Sequence, residues 1–270
     1  MEILHIEEKL TIVTQPVNVG IYDFDFNLFF SCRHPTSFPQ PATCVLRLGA
    51  IVDYSALVTR MRELGLEVVN NPDAHLRASE LREWYPLIAD LTARTICRRT
   101  FPPVDEVEQE LGWPVFVKGS RQTSGHNPQL SIARSREEYM QLQHRYRSDP
   151  ILYWQDVAVR EFLNLQSVGG AVPGKVAPSM EFRTFWWFGT CVGWGRYWYQ
   201  VPYYQAVDIV KGLEIAEEVA RRVSVPFLVV DIARREDGRW IVIECNDAQE
   251  AGYAGAAPQV IWRNVLRQLE

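Results

Sequence analysis

The sequence predicts an α+β protein, with a β/α-alternating first third and an antiparallel-rich remainder. Three observations carry this. A strand–Gly–helix–Gly–strand cycle occupies residues 44–69. Two turn signals, Gly189-Thr190 and Asp237-Gly238, each lie between runs rich in Val, Ile, Phe and Trp. A helical stretch at about 205–223 stands between those two hairpins.

The elements follow in chain order. Residues 10–13 and 19–30 are apolar runs that read as strands, and the Pro-rich piece 34–41 reads as a loop. A strand at 44–48 meets Gly49, a helix runs over 53–64, and Gly65 closes it at a good C-cap position before strand 66–69. Asn70-Asn71-Pro72 reads as a turn, and a helical stretch over 73–99 is expected to split near Pro86. The prolines at 100–103 read as a linker, dividing the chain into a first domain, 1–100, and a second, 101–270. A short helix at 104–111 ends on Gly112, and strand 114–118 (ending VFVK) runs into the polar loop GSRQTSGHNPQ. Ser135 and Glu138 form a capping box for a helix to about 147. Strands are expected at 151–155 and 158–165, then a Gly- and Pro-rich loop at 167–178. The 205–223 helix places Ile209, Val210, Leu213, Ala216, Val219, Ala220 and Val223 on one face, and a last helix covers 258–269.

The 270 residues are 47% hydrophobic and 23% charged, which suits a globular chain and excludes long disorder or coiled coil. A net charge of −5 gives no global attraction to nucleic acid or an anionic membrane, although a local basic groove is allowed. The five cysteines form no CxxC pair, which argues against zinc. The opening MEILHIEEKL does not read as a signal peptide, so free thiols in a reducing cytoplasm are expected. No run reaches the roughly 18 apolar residues of a membrane span. The aromatic content of 12% is explained more simply by strand packing than by base stacking.

The hairpins carry the chemistry. A two-residue turn at Asp237-Gly238 sets Asp231 opposite Glu244, with Asn246 on the same face and Val230, Ile232, Ile241 and Ile243 on the core face. Two facing carboxylates repel unless something positive lies beside them. With an amide oxygen they make a hard oxygen set suited to Mg²⁺ held with substrate phosphates. The alternative is a slipped register, with the acids exposed or shared with an Arg. In the other hairpin a turn at Gly189-Thr190 sets Arg183 opposite Arg196, with Glu181 on the same face. Paired guanidinium forks suit phosphate oxygens; an Arg–Glu network serving stability alone is the competing account. Lys118 ends an apolar strand at a loop holding Gly119, Ser120, Ser124 and Gly125, a setting for phosphate contact, though strand-end lysines are mostly solvated. Neither a GxxxxGK[ST] loop nor a GxGxxG fingerprint occurs.

In order, VFVK at 115–118, the polar loop, VREFL at 159–163, EFR at 181–183, Arg196, VVD at 229–231 and IECN at 243–246 resemble the ATP-grasp superfamily. LRLG (46–49) and EVVNNP (67–72) look like its preceding βα domain. The series looks closest to the eukaryotic cell-division-cycle ATP-grasp family, linked to assembly of a translation initiation factor, and to a microbial clade of proposed RNA ligases. The resemblance implies an ATP-grasp fold in which two α+β lobes hold the nucleotide, with a hinge near 159–165. Lys118 would contact the α/β-phosphates. The backbone of Glu161, Phe162 and Leu163 would read adenine, and Glu181 would hold the ribose. Arg183 and Arg196 would stabilise the transferring phosphoryl group, and Asp231, Glu244 and Asn246 would bind Mg²⁺. A second Lys common in the superfamily is missing from the helical region, where Arg82 or Arg94 would replace it. Phosphate cover would fall to Ser120, Arg121 or Ser124. His126 could be a loop ligand, although a solvated loop histidine is the expectation.

The resemblance thus implies an ATP- and Mg²⁺-dependent ligase that activates a carboxylate as an acylphosphate for attack by an amine. Its partner would be a small-molecule or peptide substrate with a carboxylate. Nucleotidyl transfer or RNA ligation through Lys118 is the second reading, with RNA as partner. A non-catalytic ATP-binding assembly factor with a protein partner is the third.

Overall fold

A computed structural model describes residues 1–15, 24–38 and 40–270. The first third is a five-stranded sheet in the order β3-β1-β2-β4-β5. Its strands are β1 (Glu2–Ile6), β2 (Leu10–Thr14), β3 (Cys32–Arg33), β4 (Ala42–Arg47) and β5 (Leu66–Val68), with β4 parallel to β2 and β5. Helix α1 (Tyr54–Glu63) supplies the crossover between β4 and β5; Asp53 caps its start by accepting from Ala56 N, and Gly65 follows at φ +79°. Part of the apolar run at 19–30 lies outside the described residues, and Phe26–Leu28 is a short 3-10 turn capped by Asp25 instead of a strand.

Helices α2 (Pro72–Ser79) and α3 (Leu81–Ile88) follow. Their break falls at Glu80, not at Pro86, because Leu81 N donates to Ser120 O (3.2 Å) across the fold. The expected helix to residue 99 ends early. Residues 95–98 form β6 (Thr95–Arg98), which pairs with a later strand and so enters the second part of the molecule before the expected division at 100. After α4 (Val104–Glu110) come β7 (Val115–Gly119), α5 (Pro128–Ser131), β8 (Ile132–Ala133), α6 (Arg136–Arg147) and β9 (Val157–Glu161). Strands β6, β7, β8 and β9 make an antiparallel sheet in the order β6-β9-β7-β8, packed on α4 and α6. Residues 151–155 are a turn, not a strand. Asp149 Oδ1 accepts from Ile151 N (2.9 Å) and Leu152 N (3.0 Å), and such local side-chain bonds compete with a ladder.

The third sheet, in the order β11-β10-β12-β13, is fully antiparallel. It comprises β10 (Glu181–Trp187), β11 (Thr190–Arg196), β12 (Phe227–Arg234) and β13 (Trp240–Asp247), with α7 (Ile209–Val223) between the hairpins and α8 (Pro258–Arg267) at the end. One face packs on α3 and α7 through Phe182, Trp186, Val230 and Ile232. The other packs on α8 and the first sheet through Phe185, Trp187, Phe227 and Val229. On α7 the expected Val210 is exposed. Gly212 is buried in its stead, because a Cβ there would stand 2.8 Å from Trp240 and Ile232.

A buried polar network ties the end of β13 to the first sheet. Asn70 Nδ2 donates to Asp247 Oδ1 (2.8 Å) and to Phe227 O (2.8 Å), and His75 Nδ1 meets Asp247 Oδ2 at 3.0 Å. Tyr54 stacks on His75 and donates to Asn70 O, and Gln249 joins Tyr54 OH to Leu46 N. The loop after β13 is clamped as well. Gly255 N donates to Arg196 O (3.0 Å), and a Cβ on Gly195 would lie 2.2 Å from the backbone of Gly255 and Ala256. Since backbone cannot yield as a side-chain tip does, Gly195→Ala is expected to destabilise the protein by about 1–3 kcal/mol in urea unfolding. An unchanged midpoint would show that the loop does not press on β11.

Candidate active site

The Asp237-Gly238 hairpin has the expected register at its centre: Asp231 pairs with Glu244. Across the next strand Arg183 pairs with Asp231. The Arg183 fork is bidentate, with Nε to Oδ1 at 2.9 Å and Nη2 to Oδ2 at 2.7 Å, and its Nη1 donates to Gly252 O (2.9 Å). On the far side Lys118 Nζ, from β7 of the other sheet, donates to Glu244 Oε1. The result is one row of charge, Arg183–Asp231–Glu244–Lys118, spanning two sheets. Burial works against the Arg183 charge, but the Asp231 carboxylate outweighs it and raises the guanidinium pKa.

A bulge at Asp231/Ile232 shifts the rest of that hairpin by one residue. Val242 and Cys245 therefore hold the core positions, while Ile243, expected in the core, lines the cleft beside Glu244, and Ile241 is half-buried. The other hairpin departs further. Its turn is Phe188-Gly189, both at positive φ, with an irregularity at Phe185/Trp186. Arg183 consequently pairs with Gly195, and Arg196 pairs with Phe182. A one-residue slip moves a side chain to the opposite face. Arg196 does not face Arg183; its guanidinium lies over the rings of Tyr203 (4.7 Å) and Tyr204 (5.4 Å).

Between the two later sheets lies a cleft of about 500 Å³. Lys118, Glu161, Phe162, Leu163, Glu181 and Glu244 all line it. Glu161 N donates to Arg94 O (2.9 Å), and Arg94 Nε donates to Glu161 Oε2 (3.1 Å). Arg94 is thus spent behind β9, and Arg82 pairs with Asp156. Ser120 is buried and makes strand-end contacts, its N donating to Asp156 O (2.9 Å), and it does not line the cleft. Asn246 is half-buried, two residues beyond Glu244 on β13 and paired with Val229.

Several cleft residues escape the sequence argument. Arg160, inside the VREFL motif, is buried and donates to Ile243 O (2.6 Å) and to the hydroxyls of Thr92 (2.6 Å) and Thr95 (3.2 Å); burial lowers its pKa. Strand alternation from Lys118 and β9 could have pointed to it. Lys175, Tyr197 and Trp198 come from irregular segments, where no periodicity signals a direction. His126 is not a solvated loop histidine. Its Nε2 lies 2.8 Å from Tyr197 OH, its carbonyl accepts from Val176 N (2.9 Å), and burial pushes its pKa down to about 4.

The family model of the ATP-grasp domain, R-2-K clade family 3, matches residues 69–265. The chain belongs to this family. No curated protein sequence matches the chain significantly. Solved structures that share this ATP-grasp fold include the D-alanine–D-alanine ligase from Coxiella burnetii, with a TM-score of 0.60 and 13% identity, covering 91% of this chain and 72% of that one. VanG D-Ala:D-Ser ligase from Enterococcus faecalis has a TM-score of 0.59 and 14% identity, covering 84% of this chain and 71% of that one. The ATP-grasp ligase PsnB, complexed with a phosphomimetic variant of a minimal precursor, Mg and ADP, has a TM-score of 0.52 and 15% identity, covering 89% and 80%. At these identities the likeness is one of fold.

The residues present suit what an ATP-grasp cleft holds. Phe116, Ile132, Phe162, Leu163 and Ile243 give it apolar walls, and Lys118, Arg160 and Lys175 bring cations to its polar part. Among the described residues no cluster of three or more His, Cys, Asp or Glu is arranged to hold a metal. Two facing carboxylates suit Mg²⁺, which keeps waters and substrate phosphates as its other ligands. No helix of the described residues is long and apolar enough to cross a membrane.

Glu181 is buried, accepting from Trp198 Nε1 (3.0 Å) and Ser179 Oγ (3.3 Å). Burial, with the nearby Asp231 charge second, pushes its pKa up from 4.5 to about 8. A raised pKa favours the protonated form in the folded state. The stability it contributes is full below about pH 4.5 and lost as pH rises through 8. Glu181→Gln cannot ionise, so its melting temperature is expected to gain on the wild type by several degrees across that window. A difference that stays flat with pH would refute a protonated Glu181.

Proposed function

We infer that the chain binds Mg-ATP between the two later sheets and catalyses the ATP-dependent joining of a carboxylate to an amine. The charge row is the observation that carries this. Its cations have the chemistry to hold phosphate oxygens and its carboxylates to hold magnesium; Lys118 and Glu244 line the apolar cleft, and Asp231 and Arg183 continue the row behind Glu244. In this reading the backbone of Glu161, Phe162 and Leu163 meets adenine and Glu181 meets the ribose. Lys118 and Arg183 bind phosphates, with Arg160 near them in place of Arg196. Asp231, Glu244 and Asn246 hold Mg²⁺, which would neutralise charge on the transferring phosphoryl group. The chain's own contribution is positioning and electrostatic stabilisation, which needs no nucleophilic side chain. The five unpaired cysteines support a cytoplasmic setting.

Calorimetric titration with Mg-AMPPNP checks the binding. Lys118→Ala and Glu244→Gln are each expected to weaken it by about 10- to 100-fold, since each truncates one partner of a charge pair. A wild type that takes up no Mg-nucleotide sinks the reading. Turnover releasing ADP and phosphate supports ligation; AMP release would move the assignment to nucleotidyl transfer.

A further inference from the structure

A second chamber of about 400 Å³ adjoins the cleft. His126, Lys175, Tyr197 and Trp198 line both spaces and form the partition between them. Beyond the partition the chamber is walled by Arg183, by Tyr199 and Tyr253, and by the small residues of the clamped loop after β13. Its charge differs from that of the cleft. The cleft is lined by Glu161, Glu181, Glu236 and Glu244, whereas no Asp or Glu is among the described residues lining the chamber. Arg183 is already matched by Asp231. Lys175 makes no ion pair among the described residues, so it is the chamber's uncompensated cation.

We propose that this chamber receives the second substrate, and that this substrate is an aromatic carboxylate without a free α-ammonium group. A carboxylate gives Lys175 the partner it lacks. The ammonium of a free amino acid would meet no acidic side chain among the described lining residues and would be repelled by Lys175. The rings of Tyr197, Trp198, Tyr199 and Tyr253 favour an aromatic body through edge and face contacts. In this the chain differs from enzymes of the same fold named for joining D-alanine. The assignment to the second substrate rests on the nucleotide reading above. The chemistry of the chamber does not.

The test titrates the full chain, with and without saturating Mg-AMPPNP, with 3-phenylpropanoate, L-phenylalanine, 3-phenylpropanamide and propanoate, following heat or tryptophan fluorescence. 3-Phenylpropanoate is expected to bind about 10-fold more tightly than each of the others, the size of one charge or one ring contact. Lys175→Gln removes its advantage over the amide. Gln200 is exposed and lines only the chamber. Gln200→Glu is expected to weaken 3-phenylpropanoate by about fivefold and Gln200→Lys to tighten it similarly, neither changing Mg-AMPPNP affinity. Equal binding of L-phenylalanine or of the amide, no binding of 3-phenylpropanoate, its displacement by Mg-AMPPNP, or indifference to both Gln200 changes would each overturn the proposal. Failure of Mg-AMPPNP to bind would strike the nucleotide reading and leave the chamber result standing.

Discussion

Asp231 and Glu244 stand opposite each other on adjacent strands, and Asp231 has almost no access to water. Two facing carboxylates are tolerable there only because a cation closes each end of the row. Arg183 comes from the neighbouring strand of the same sheet, whereas Lys118 comes from another sheet. The Lys118–Glu244 contact therefore reaches across the cleft and sets one wall against the other. A buried ion pair contributes little net stability against an apolar replacement, yet removing one partner costs about 3–5 kcal/mol. The row thus acts chiefly on specificity of arrangement, and it holds four groups of alternating use where phosphate and metal would meet.

Backbone irregularities finish what the ladder begins. The bulge in β13 turns Ile243 and Glu244 toward the cleft together and frees the Ile243 carbonyl for Arg160. The Asn70–Asp247–His75 network holds the strand just beyond Asn246 against the first sheet. That gives the first sheet a physical role in the site although none of its strands lines the cleft. On the other side of the cleft, the His126–Val176 bond joins the loop after β7 to the segment before β10, and the His126–Tyr197 bond joins it to the end of β11. These contacts form the partition between the cleft and the second chamber, so the shape of both depends on one loop.

Residue types and spacing were enough to determine the α+β class, most helix ends and the Asp231–Glu244 opposition. Caps and glycines act over a few positions, and the chain order records them directly; the Asp231–Glu244 opposition holds although the turn spans three residues, 236–238, because the bulge at Asp231/Ile232 restores the register. The ordered motifs, VFVK through IECN, were likewise legible as a set and agree with the ATP-grasp family. What the chain order does not record is how far strands slide and which distant group arrives beside them. Trp187 pairs with Thr190 across a Phe188-Gly189 turn, two positions from the sequence expectation; the irregularity at Phe185/Trp186 returns one of them, and the net slip of one carries Arg196 to the opposite face. Strand β6 depends on β9, more than fifty residues later, so helical propensity around 95–99 gave way to a pairing invisible locally. The cation for Glu244 was implied by electrostatics, but its identity as Lys118 was decided only by the packing of one sheet on another. Local conformational preferences are encoded in neighbours along the chain; long-range charge compensation depends on which surfaces meet, and only the folded structure brings those surfaces together.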